Sequence, residues 1–159
     1  MLSVIGCGNP NRCDDGVGSY VIQGLRQTLP SGPPASVRLF DAGTSGMQVM
    51  FEARGSDALI IVDATVSDGE PGALYEVPGS ALETPHPEGG NLHDFRWQHA
   101  LYAGRRMYGD AFPDDVSVYL IEAADLGLGL SLTPAVQAAA DALIVRLASR
   151  ITTRDIRAA

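Results

Sequence analysis

Lysine is missing from this chain. All eleven basic residues are arginine, set against nineteen acidic ones, for a net charge of −8. Sequence-independent nucleic-acid binding relies on basic side chains meeting phosphates, so this balance argues against a nucleic-acid partner. Long apolar runs are missing too: none approaches the roughly 20 residues of a membrane span, and no membrane association is expected. The start, Met1-Leu2-Ser3-Val4-Ile5, lacks the basic opening and long apolar centre of a signal peptide. Cysteine is limited to Cys7 and Cys13. That argues against a disulfide scaffold and for a reduced, cytoplasmic location. Their spacing is not C-x-x-C, and no second pair exists to complete a zinc site. Neither H-E-x-x-H nor G-x-S-x-G occurs, so a zincin helix and a serine elbow are both excluded.

What is present is an ordinary globular composition, 45% apolar and 19% charged over 159 residues. This is enough for one α/β domain with a proper core, expected over 1–151, followed by a polar, frayed tail at 152–159. A strand at 2–6 leads through a loop into a helix at 16–29, which Leu29-Pro30-Ser31-Gly32-Pro33-Pro34 stops. A strand at 36–40 runs into Asp41-Ala42-Gly43-Thr44-Ser45-Gly46, where Thr44 or Ser45 caps a helix at 46–54. Ala58-Leu59-Ile60-Ile61-Val62 is a continuous apolar run, the mark of a central strand buried on both faces. The short strand 73–78 follows too closely for a helical crossover, so it is expected antiparallel. An irregular loop at 79–91, a helix at 92–108, a strand at 116–121 and a helix at 133–150 complete the chain. The whole predicts a three-layer α/β/α sandwich on a mostly parallel sheet of about five strands with one antiparallel strand.

The loop Gly6-Cys7-Gly8-Asn9-Pro10-Asn11-Arg12-Cys13-Asp14-Asp15-Gly16-Val17-Gly18 sits between the first strand and first helix, a common ligand position. A dinucleotide is a poor fit. The third glycine of G-x-G-x-x-G is Asn11, and Asp14 and Asp15 would repel a pyrophosphate. Acidic residues there make more sense as cation ligands. Asp15 follows the first strand, Asp41 ends the second and Asp63 ends the third, so a parallel sheet brings all three to one edge. Any one of them can equally be a cap or turn residue, the preferred reading for Asp14 and Asp41. Asp63 differs, because a carboxylate closing an apolar strand costs several kcal/mol if buried without a partner. Among the three histidines, His93 falls in the expected first helical turn, where it can face the same edge. Asp15, Asp63 and His93 together would suit a divalent first-row ion with open positions. Phe95, Arg96 and Trp97 follow directly and have the composition of an exposed contact surface for a substrate, with a core position the competing reading for Trp97.

The segments Gly6–Pro10, Asp14–Gly18, Asp41–Met47, Ile60–Ala64 and Gly127-Leu128-Gly129-Leu130-Ser131-Leu132-Thr133-Pro134 resemble, in order, those of the hydrogenase maturation endopeptidases. The resemblance covers residues 1 to about 150. It implies a three-layer sandwich and removal of a C-terminal peptide from the precursor of a nickel–iron hydrogenase large subunit after nickel insertion. It further implies that Asp15, Asp63 and His93 bind metal, the nickel being supplied by the precursor. Asp41 then helps cleavage or recognition, which makes Asp15, Asp41, Asp63 and His93 the expected catalytic group. A monomer is expected. The rival reading is a non-catalytic nickel-sensing docking module or metallochaperone for the same precursor. Around His93 the sequence Asn91-Leu92-His93-Asp94 departs from the family's S-x-H pattern, which points to a subgroup with its own partner.

Overall fold

The computed structural model describes residues 1–29 and 31–158. Five strands form one sheet in the order β2-β1-β3-β5-β4: β1 (Leu2–Cys7), β2 (Val37–Gly43), β3 (Ala58–Thr65), β4 (Leu74–Pro78) and β5 (Asp115–Glu122). β1 pairs in parallel with β2 and β3, and β3 with β5. β4 alone is antiparallel, as expected, but its partner is β5, which lies between it and β3.

The central strands are apolar on both faces because both faces are covered. Val4, Ile60 and Val62 face α1 (Val17–Thr28) and α4 (Pro134–Ala158), meeting Val21, Ile22, Leu143 and Leu147. Ile5, Leu59 and Ile61 face α2 (Gly46–Ala53) and α3 (Trp97–Tyr108), meeting Val49, Met50 and Leu101. The period of two along each strand thus divides one sheet between two cores. This is the expected α/β/α sandwich.

The element ends carry the differences. α1 stops where Leu29 turns extended, with its N–H still donated to Leu25; Pro30, part of the expected stop, lies outside the described residues. Ser45 caps α2 by accepting the Gln48 N–H at 3.3 Å. β2 and β3 run longer than the apolar pattern indicated and carry Asp41 and Asp63 inside paired strand, opposite Gly6 and Leu120. The helix expected from residue 92 starts only at Trp97. Leu92–Asp94 forms a separate 3-10 turn, Phe95 and Arg96 are extended, and His99 Nδ1 accepts the Arg96 N–H at 3.0 Å. α4 continues beyond residue 151 to Ala158, where a separate tail was expected. No glycine or proline stops it, Ile151 is buried, and the Thr152 and Thr153 hydroxyls bond back to the Ala148 and Ser149 carbonyls. Ala159, the last residue of that expected tail, lies outside the described residues.

Candidate active site

Parallel strands deliver their carboxyl ends to one edge, and there β1, β2 and β3 frame a cleft. Its lining includes Cys7, Gly8, Asp15, Thr44, Ser45, Gly46, Asp63, Arg96 and Trp97. Asp15 sits in the 3-10 turn Cys13–Gly16, and its Oδ2 accepts the Asn9 N–H at 2.9 Å. Gly8 lies between the two acids. At φ +112 a Cβ there would stand 1.9 Å from the Asp15 carbonyl oxygen and 3.3 Å from Asp63 Oδ1, so only glycine lets the loops close this tightly.

Asp63 is the chemically loaded member. Its Oδ1 accepts the Ala64 N–H at 2.8 Å, and its Oδ2 accepts the Trp97 indole N–H at 2.7 Å. Burial pushes its carboxyl up to about 6; the Trp97 and Ala64 bonds and the Arg96 charge pull the other way, and the Asp15 charge adds to the rise. Cys7, buried beside it, has its thiol pushed well up by burial and by the charges of Asp63 and Asp41. A thiol in that state stays protonated at neutral pH and is a poor nucleophile.

Two of the three expected ligands meet here and one does not. Asp15 and Asp63 share the cleft. His93 is exposed on the Leu92–Asp94 turn and borders a neighbouring hollow with Met47, Leu92 and Phe95. The two depressions have Thr44, Ser45 and Gly46 in common. Among the described residues no group of three histidine, cysteine or acidic side chains is assembled to hold an ion. Asp15 and Asp63 line one depression and His93 the next, on a turn where Asn91 Oδ1 accepts the His93 N–H.

Asp41 reaches the edge but does not line the cleft. Its Oδ2 accepts the Ser19 hydroxyl at 2.6 Å and its Oδ1 the Gly43 N–H at 3.1 Å, which shapes the turn into α2. The exposed aromatic–arginine surface expected at 95–97 is corrected. Phe95 is 9% and Trp97 5% exposed, both packed in the α2–α3 core, and only Arg96 is exposed. The alternation follows from the extended backbone at 95–96, which sends successive side chains to opposite sides. The Trp97–Asp63 bond has a single signal in the sequence, a lone tryptophan, whose indole N–H seeks a partner when buried.

Comparisons with known proteins agree on the family. A model of the hydrogenase maturation protease family matches residues 20–150. The hydrogenase 2 maturation protease of Escherichia coli is 29% identical over 143 residues, spanning 86% of this chain and 82% of that protein. The coenzyme F420 hydrogenase subunit delta of Methanothermobacter thermautotrophicus is 34% identical over 103 residues, 58% of this chain and 65% of that one. In three dimensions the chain is similar to the hydrogenase maturating endopeptidase HybD from E. coli, with a TM-score of 0.80 at 23% identity, covering 97% of this chain and 93% of that one. It is also similar to the maturation protease HycI from Thermococcus kodakarensis, with a TM-score of 0.73 at 18% identity over 96% and 92% of the two chains. At these identities the structural likeness speaks for the fold.

Proposed function

Because the chain belongs to the hydrogenase maturation protease family, we propose that it is an endopeptidase removing a C-terminal peptide from the nickel-loaded precursor of a nickel–iron hydrogenase large subunit. The observation that carries this reading is the pair of strand-end carboxylates, Asp15 and Asp63, in one cleft. Nickel arrives as part of the substrate. Asp15 and Asp63 would hold it in the cleft, and His93, on the adjoining depression, would supply the third donor; oxygen and nitrogen donors suit such an ion.

Charge explains the selectivity. A buried carboxylate beside another is unfavourable, and a divalent cation offsets that cost. A nickel-free precursor presents no such cation and so gains nothing at the cleft. An ion held by these residues would supply Lewis-acid chemistry, polarising the scissile carbonyl and making an attacking water more acidic. Arg96, exposed at the cleft, contacts the precursor, while Asp41 acts through the turn that it shapes. The protein works as a monomer in the cytoplasm, where Cys7 and Cys13 stay free thiols. No helix among the described residues is long and apolar enough to cross a membrane.

Incubating pure protein with nickel-loaded and nickel-free precursor tests this reading. Shortening of the loaded form alone is expected. A precursor that binds but stays full length would assign the docking or metallochaperone role instead, and equal shortening of both forms would remove nickel from recognition.

A further inference from the structure

We propose that Trp97 is the positioning residue for Asp63: its indole N–H sets the plane of that carboxylate and ties the segment carrying His93 and Arg96 to strand β3. The proposal rests on the endopeptidase reading for what the carboxylate does, and on geometry alone for how it is held.

An indole nitrogen only donates, so a buried tryptophan must find an acceptor. Trp97 finds Asp63 Oδ2 at 2.7 Å, 34 residues away in sequence, and the rest of its ring is locked in the α2–α3 core. The Ala64 N–H holds the other oxygen at 2.8 Å. With both oxygens gripped on the protein side, the carboxylate cannot rotate freely, and its remaining lone pairs are left for the cleft.

Trp97 also fixes the approach to the site. Two residues before Trp97, the Phe95 carbonyl accepts the Gly46 N–H at 3.1 Å. A Cβ on Gly46 would stand 2.3 Å from that carbonyl oxygen, so the contact leaves no slack. Segment 95–97 is therefore pinned to the start of α2 at one end and to β3 at the other. Arg96 projects from between the two pins, and the His93 turn lies just before them. A single indole thus registers the segment bearing His93 against the strand bearing Asp63. Partners that hold metal-binding carboxylates in place commonly matter by 10–100-fold when removed.

The test compares wild type with Trp97→Phe, which keeps an aromatic ring and removes the donor. With nickel-loaded precursor, kcat is expected to fall about 10–100-fold while KM changes less than about threefold and the fold is retained. An unchanged kcat per folded molecule overturns the proposal. The chain has one tryptophan, so the indole N–H gives one assignable NMR signal, which serves if the variant fails to fold. That signal is expected to move in Asp63→Asn, and a signal that stays put overturns the positioning whatever the precursor does. Wild-type protein that leaves the precursor uncut would reject the functional reading, and the indole signal would then decide the positioning by itself.

Discussion

Asp14 and Asp63 lie at the same edge of one sheet, and the fold treats them in opposite ways. Asp14 is fully buried and accepts four hydrogen bonds, from the backbone N–H groups of Ala124, Asp125 and Thr133 and from the Thr133 hydroxyl. Burial alone would raise its pKa, yet those donors together hold it below the usual carboxylate value. Asp63, half-buried, has two donors, and there desolvation outweighs them. The difference is one of satisfaction. Asp14 is complete, and clamps the first loop to the segment before α4. Glu122 at the end of β5 is complete as well, taking the Ser67 hydroxyl and the Ser67 and Gly69 N–H groups, which lower its pKa. Asp63 is left short, and the missing stabilisation is what a cation can supply.

The contrast breaks most sharply at Asp14. Asp14→Ala strands three backbone donors and a hydroxyl in the buried space that its carboxylate fills, and stability should fall by about 3 kcal/mol or more. Denaturant unfolding measures it, and a loss under about 1 kcal/mol would mean that the clamp is dispensable. The sign with pH follows from its lowered pKa. Its contribution is fully present above the unfolded-state value near 3.9 and is lost as pH falls through the lower folded-state value.

Asp63 should behave in reverse. Its folded-state pKa is raised, so its contribution is fully present below the unfolded value and is lost as pH climbs through about 6. Asp63→Asn removes that charge, but an amide offers one acceptor where two donors wait. The two effects are each about 1–3 kcal/mol and oppose one another at neutral pH. The variant should therefore melt close to wild type at pH 7.5, and clearly below it at pH 4.5, while processing is lost. A variant that melts lower by the same amount at both pH values and still processes would leave Asp63 purely structural. In the wild type, the processing rate should rise with pH around a midpoint near 6, as Asp63 loses its proton. A flat rate between pH 5 and 7 would remove Asp63 ionisation from the reaction.

These two acids also mark how far the sequence could be read. The unbroken apolar run 58–62 required a central strand, and a parallel sheet then required Asp15 and Asp63 to share an edge. That much is local pattern plus topology. The satisfaction of Asp14 was not legible, because its donors lie more than 100 residues away in sequence and three of them are backbone groups that any residue carries. Thr133 illustrates the same limit. Its position before Pro134 reads as a helix cap, yet its hydroxyl donates to Asp14. The stretch 92–97 departs from its sequence pattern for a related reason. Its composition permits a helix, but the Asn91 cap and the His99 bond to the Arg96 N–H stop one turn and start another. Burial of Phe95 and Trp97 then follows from that break.

The smallest stability effect should come from His93, and it sharpens the comparison by isolating function. His93 is exposed, and its side chain does not border the cleft that holds the two acids. The bond to Asn91 uses its backbone N–H, which any residue other than proline supplies. His93→Ala should therefore change stability by no more than about 0.5 kcal/mol. Asp15 and Asp63 remain in place in this variant, so the cleft keeps its charge and its need for a cation. If His93 completes the set when the precursor seats, processing of the nickel-loaded form should collapse while the melting curve stays that of wild type. Loss of rate without loss of fold would place His93 with Asp63, among residues held for the substrate. A normal rate would show that the two strand-end carboxylates suffice, and would leave the Leu92–Asp94 turn as scaffold beside them.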